Sequence, residues 1–143
     1  ELVIDGADPD EIHPLIPTGA GLSGIWRVDG QVDDEYFGAA VALVPNLSGD
    51  GRAALAVGGP FGDVGGAQRG GGVRIYRVYE DLAGIDIEPM AAIGGESWRA
   101  AGQLGNSLSA SATDSGARLL IGGQEGSALG LDQGSVYSLE ITP

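Results

Sequence analysis

The chain has 143 residues, enough for one domain with a real core, and carries 20 acidic against 7 basic side chains, a net charge of −13. Such a surface repels phosphate backbones and anionic lipid, which argues against nucleic acid and against an anionic membrane surface as partners. Cysteine is absent, which excludes disulfides, thiol catalysis and thiolate metal sites.

All the basic residues are arginine, as suits a GC-rich genome or a salt-adapted host. The 27 glycines have no collagen period and mark many tight turns rather than disorder. No apolar stretch approaches the ~20 residues of a membrane helix.

In chain order, Leu2-Val3-Ile4 is a short apolar run that stops at Asp5-Gly6. It lacks the basic region and long apolar core of a signal peptide, so an exported protein would be represented by a mature or internal piece. Residues 8–21 hold Asp8-Pro9-Asp10-Glu11 with Pro14, Pro17, Gly19 and Gly21. That proline density excludes a regular helix or central strand and predicts a loop. Short strands are expected at 2–5 and 24–28. From Phe37-Gly38 onward three apolar runs predict strands at 38–44, 53–58 and 72–78, separated by Asn46-Leu47-Ser48-Gly49-Asp50-Gly51 and by a glycine-rich loop. A further strand is expected at 86–93, and the only helix candidate is a turn around Gly95-Glu96-Ser97-Trp98-Arg99. Strands at 105–112, 117–122 and 134–141 complete the chain. In the first of these, Ser107, Ser109 and Ser111 alternate with Leu108, Ala110 and Ala112, the pattern of a strand with one polar face.

Several landmarks recur in the same order. Leu2-Val3-Ile4-Asp5-Gly6 aligns with Leu55-Ala56-Val57-Gly58-Gly59 and with Leu119-Leu120-Ile121-Gly122-Gly123, at offsets of 53 and 64 residues (2 to 55 to 119). Gly24-Ile25-Trp26-Arg27-Val28, Gly72-Val73-Arg74-Ile75-Tyr76 and Ser135-Val136-Tyr137-Ser138-Leu139 form a second set, at offsets of 48 and 63 (25 to 73 to 136). Phe37-Gly38 and Leu104-Gly105 form a third, 67 apart (37 to 104). Such recurrence marks a repeat architecture, and a period of about four strands suits a propeller blade.

The order phenylalanine-glycine, acidic-glycine turn, apolar strand, glycine-x-proline and glycine-valine-x-isoleucine-tyrosine across residues 37–76 resembles the FG-GAP repeat, which builds the β-propeller of integrin α chains and of many bacterial secreted proteins. The resemblance implies an all-β fold: a portion of an FG-GAP-type β-propeller with antiparallel four-stranded blades. Residues 37–103 would be a complete blade, while residues 1–36 and 104–143 would be partial ones. Departures from the pattern are Leu104 for phenylalanine, Asp5 for glycine and Gln124 for proline.

The resemblance also implies a loop that wraps Ca²⁺, with ligands at its first, third, fifth and ninth places and a carbonyl at the seventh. Those places hold Asn46, Ser48, Asp50 and Ala54, with Arg52 offering its backbone carbonyl. One carboxylate remains, and hard-cation affinity depends on ligand charge. The loop is therefore either a turn kept for its shape or a weak calcium site. Asp33-Asp34-Glu35 and Asp8-Pro9-Asp10-Glu11 are acidic clusters, read as solvated charge on turns, with a share in a metal site beside carboxylates of another loop as the alternative. The run Gly65-Gly66-Ala67-Gln68-Arg69-Gly70-Gly71-Gly72 lacks the lysine-serine ending of a phosphate loop and precedes a strand. His13 is the sole histidine, and no serine sits in a GxSxG elbow, so no catalytic set is found and the chain reads as a non-enzyme. Trp26, Tyr76 and Tyr137 are expected to be buried between blades.

The function implied is a non-catalytic extracellular binding, adhesion or structural module. Its place would be outside the cell, on the cell surface or in the periplasm. The alternative is an accessory portion of a larger secreted hydrolase. Its partners would be the remaining blades, from a parent chain, another subunit or further copies. Left alone, the flanking blades would show apolar faces and unpaired strand edges.

Overall fold

The computed structural model describes residues 28–31, 33–47, 51–64, 69–81, 84–94, 103–124 and 134–142. Among the described residues seven strands form: β1 (Ala40–Val44), β2 (Ala54–Gly59), β3 (Gly72–Asp81), β4 (Gly84–Gly94), β5 (Leu104–Thr113), β6 (Gly116–Gly123) and β7 (Ser135–Ile141). All seven match expected strands to within a few residues, and no α-helix occurs among the described residues. The strands expected at 2–5 and 24–28 lie outside the described residues, apart from Val28, which is in no strand. The Asp8–Glu11 cluster, His13 and the helix candidate at 95–99 also lie outside them.

The strands pair in chain order into two antiparallel meanders, β1-β2-β3-β4 and β5-β6-β7. Neither sheet is closed. Within the sheets, two-residue turns join β3 to β4 and β5 to β6, and longer loops join the other neighbours, each returning the chain to the adjacent antiparallel position.

The two sheets begin alike. Tyr36 and Gln103 both have positive φ (55° and 47°), and Gly38 and Gly105 share φ 91°. In both, the amide three residues on closes a turn: Ala39 N–H donates to Tyr36 O at 3.1 Å, and Asn106 N–H donates to Gln103 O at 3.3 Å. A side chain at φ near +90° is strained, so glycine is required where each first strand departs. This turn is why β1 and β5 carry the same entry at the 67-residue offset seen in the sequence.

The sheets stack face to face. Val44, Leu47, Ala54, Ala56, Val73 and Ile75 from the first sheet and its turn form one buried cluster with Leu104, Ala117, Leu119 and Ile121 of the second. Leu108, Ala110 and Ile141 pack against its margin. Residues on one face of a strand alternate, so the sequence register decides which side chains meet. At one end the sheets approach until backbone meets backbone: a Cβ on Gly58 would overlap the Gly105 carbonyl oxygen. There Leu104 N–H donates to Gly70 O at 3.1 Å.

Pairing fixes the outward faces. On the first sheet, Val41 pairs with Val57, Leu43 with Leu55, Val57 with Arg74 and Leu55 with Tyr76. These six residues form one face, opposite the core. On the second sheet, Ser109 pairs with Leu120, Ser111 with Arg118 and Leu120 with Ser138. That outward face carries Ser107, Ser109, Ser111 and Ser138 beside the exposed Leu120 and Val136, and is crossed by an exposed Arg118–Glu140 ion pair. Alternation turns the serines of β5 outward on this face, with Leu120 and Val136 as its exposed apolar residues. Among the described residues, β7 is the last strand of its sheet and follows β6 in the order β5-β6-β7.

Candidate functional site

The sequence places Glu35 among surface acids, and the structure corrects this. Glu35 is 2 % exposed, whereas Asp33 and Asp34 lie in solvent. The chain turns at Asp34 and Tyr36, both at positive φ, and folds Glu35 inward between them. Its carboxylate meets the guanidinium of Arg74 on β3 in a bidentate pair. Arg74 Nη1 donates to Oε1 at 2.8 Å, and Nη2 donates to Oε2 at 3.0 Å. Gln31 N–H also donates to Oε1, at 3.0 Å, while the Glu35 carbonyl accepts Phe61 N–H at 3.1 Å. One residue thus ties the entry segment, the loop after β2 and the third strand together. Planar, bidentate charge-assisted bonds of this kind are the strong class of side-chain hydrogen bond.

Aromatic rings flank the pair. The guanidinium carbon of Arg74 lies 5.5 Å from the Phe37 ring centroid, and Phe37 meets Tyr76 edge-on at 6.2 Å. Beside this buried stack is a more open one. Arg69 lies over the Phe61 ring at 5.2 Å, and Phe61 meets the exposed Tyr36 ring at 5.0 Å. Arg69 is held from behind, its amide donating to Asp63 Oδ1 at 2.7 Å. Both stacks sit where β1 begins, β2 ends and β3 begins.

Hydrogen bonding to Glu35 raises the Arg74 guanidinium above its ordinary value, with burial pulling the other way. Burial raises the Tyr76 phenol, Arg74 lowers it, and Glu35 adds a further upward push. Both groups therefore hold their protons at neutral pH. The arrangement offers rings and a fixed cation for stacking and ion pairing. It aligns no nucleophile with a base.

The calcium-like turn is only partly described. Asn46 has φ 48°, and its Oδ1 accepts Gly51 N–H at 2.8 Å, so the side chain closes the turn itself. Leu47 points into the core. Ser48 and Asp50 lie outside the described residues, and Arg52 is exposed. No group of three or more His, Cys, Asp or Glu side chains that could hold a metal occurs among the described residues.

Tyr76 is buried, but on the outward face under Phe37 and not between the two sheets, whereas Tyr137 is 38 % exposed; Trp26 lies outside the described residues. The difference is cover: the entry segment packs Phe37 onto Tyr76, and the first sheet does not reach as far as β7. The glycine-rich loop leads into β3, a strand, as its sequence requires. An open cleft of about 440 Å³ lies at the equivalent end of the second sheet, lined by Asn106, Ser107, Gln124 and Ser135 among others. No helix among the described residues is long and apolar enough to cross a membrane.

Sequence reasoning missed the Glu35–Arg74 pair. Its signal was Arg74 at an alternating position within an apolar strand, which puts a charge on a face that needs a partner. No protein-family model and no curated protein matches this chain.

Proposed function

We propose that this chain is a non-catalytic extracellular binding, adhesion or structural module, a portion of an FG-GAP-type β-propeller completed by further polypeptide. The observation that carries the reading is the pair of stacked antiparallel meanders with the same glycine turn at the head of each first strand. Repeats of this kind bury their faces only against neighbours. Binding would use the Tyr36–Phe61–Arg69 patch. Aromatic residues and arginine are the residue types that dominate binding energy at interfaces, and the Glu35–Arg74 pair braces the loops that carry them. A weak Ca²⁺ site at Asn46, Ser48, Asp50 and the Arg52 carbonyl belongs to the same proposal.

The test is electron microscopy of the natural gene product that contains this chain, purified under native conditions. The expected particle is a ring of blades, with β1 and β5 nearest the axis. A stable monomer of these 143 residues alone, or a substrate turned over by them, would overturn the proposal.

A further inference from the structure

The joint between the two sheets has a protruding half and a receiving half. The protruding half is the turn Gln103-Leu104-Gly105, buried at all three residues. The receiving half is the end of β2 with the start of β3. There Gly71 forms a parallel bridge with Leu104. A Cβ on Gly58 would overlap the Gly105 carbonyl oxygen, and a Cβ on Gly105 would overlap the Gly72 carbonyl oxygen. Glycine on both sides is what lets the two backbones approach this closely.

Each sheet carries both halves, so one of each is left over. On the first sheet, Tyr36-Phe37-Gly38 has the backbone of the docked turn: φ is 55° at Tyr36 and 91° at Gly38, against 47° at Gln103 and 91° at Gly105. Yet Tyr36 and Gly38 are exposed, and among the described residues a Cβ on Gly38 meets nothing within 4 Å. Val41 and Leu43 are 62 % and 66 % exposed. Their equivalents at the 67-residue offset (41 to 108, 43 to 110) are Leu108 and Ala110, which pack against the core. On the second sheet, Gly122, Gly134 and Val136 stand where Gly58, Gly71 and Val73 stand on the first (58 to 122, 71 to 134, 73 to 136). Gly134 repeats the left-handed backbone of Gly71, at φ 67° against 75°. Gly58, Gly71 and Val73 are buried under the docked turn, whereas Val136 is 76 % exposed. Gly122, Gly134 and Val136 line the open cleft of about 440 Å³.

We infer that the free turn of one copy of this chain docks in the free cleft of a second copy, head to tail, repeating the joint already made within the chain. The backbone identifies the occupant. The cleft is shaped for a turn with glycine at φ 91° followed by apolar residues, and Tyr36-Phe37-Gly38 with Val41 and Leu43 is such a turn, exposed. Leu120 and Val136 give the cleft side its apolar contact. The serines and the Arg118–Glu140 pair keep the rest of that face polar, so the contact is small and weak. Like charge, −13 on each copy, also opposes it. The two faces are unlike, so the contact is heterologous and propagates into a closed ring or an open filament.

Sedimentation velocity on the full chain tests this, in about 1 M salt, where the Debye length falls to about 3 Å and the like charge is screened. The unaltered chain is expected to associate as its concentration rises. Gly38→Ala blocks the turn, because its Cβ has open space in a single copy but would overlap the Ser135 carbonyl in the joint, as a Cβ on Gly105 overlaps that of Gly72. Val136→Asp blocks the cleft by burying an unpaired charge there. Each variant alone should weaken association about a hundredfold or more. Mixed in equal amounts, the two should form a dimer and stop, since the mixture holds one working turn and one working cleft. Leu43→Asp, which keeps Gly38, should behave as Gly38→Ala does. Met90→Asp, at an exposed residue of β4 away from both halves, should associate as the unaltered chain does. The head-to-tail joint rests on the stacked-repeat reading, but the two fail differently. Association that survives both blocking variants, that Met90→Asp also abolishes, or that the mixture does not restore would overturn the joint alone. So would a natural gene product that is a monomer, its ring completed by further repeats of its own. A full chain that stays monomeric at every concentration would overturn both.

Discussion

Replacing Glu35 with Gln is expected to destabilise the protein severely, because it removes one charge of a buried pair and leaves the other in place. Arg74 is 11 % exposed and Glu35 2 %. An uncompensated buried charge costs about 3–5 kcal/mol. Glutamine keeps an acceptor for one Arg74 nitrogen or for Gln31 N–H, and the guanidinium retains a little contact with water. The expected loss is therefore at the lower end, about 3 kcal/mol, a large share of the about 5–15 kcal/mol that holds a domain of this size. The exposed Arg118–Glu140 pair provides the contrast. Its contact is shorter, 2.6 Å, but the two side chains are 48 % and 66 % exposed. Screening by water leaves such a pair worth about 0–1 kcal/mol. Urea unfolding of Glu35→Gln, Arg74→Met, the double variant and Glu140→Gln measures all four. The double variant should recover part of the loss, since a Gln–Met pair leaves no unpaired charge behind. The reasoning is refuted if Glu35→Gln costs no more than Glu140→Gln, or if the double variant is the sum of its two parts.

Tyr76 has its phenol raised above the ordinary 10.0. A folded pKa above the unfolded one gives stability that is complete below the unfolded value and is lost as pH rises through the folded one. Unfolding free energy should therefore fall with rising pH above about pH 10, and less steeply in Tyr76→Phe; parallel curves for the two proteins would contradict this. Gly38→Ala and Gly105→Ala share φ 91°, but the added Cβ meets nothing within 4 Å at Gly38 and overlaps the Gly72 carbonyl at Gly105. Thermal melts should show a loss of about 1–3 kcal/mol at Gly38, the cost of backbone strain alone, and a larger one at Gly105. Asn46→Ala should cost about 1 kcal/mol through the bond lost to Gly51 N–H, measured equally in calcium and in chelator if the turn serves only shape. Calcium titration by calorimetry should find any binding in the ~10⁻⁴–10⁻³ M range of extracellular modules. Submicromolar binding abolished by Asp50→Ala would reverse the preference for a shape-only turn.

Glycine punctuation and β-branched runs determined the strands, because a polar turn of a few residues leaves an antiparallel neighbour as the only economical partner. The repeat offsets were likewise legible: Gly38 and Gly105 answer to one backbone conformation wherever it recurs, and the alternation in β5 announced a polar face. What the sequence could not say is which face of each sheet meets the other. That depends on two unlike apolar faces fitting together, and alternation alone treats them as equivalent. Glu35 was illegible for the same kind of reason. Beside Asp33 and Asp34 it has the composition of a solvated turn. Only the turn geometry at Asp34 and Tyr36 folds it inward, and only Arg74, brought from 39 residues along the chain, gives the buried charge its partner.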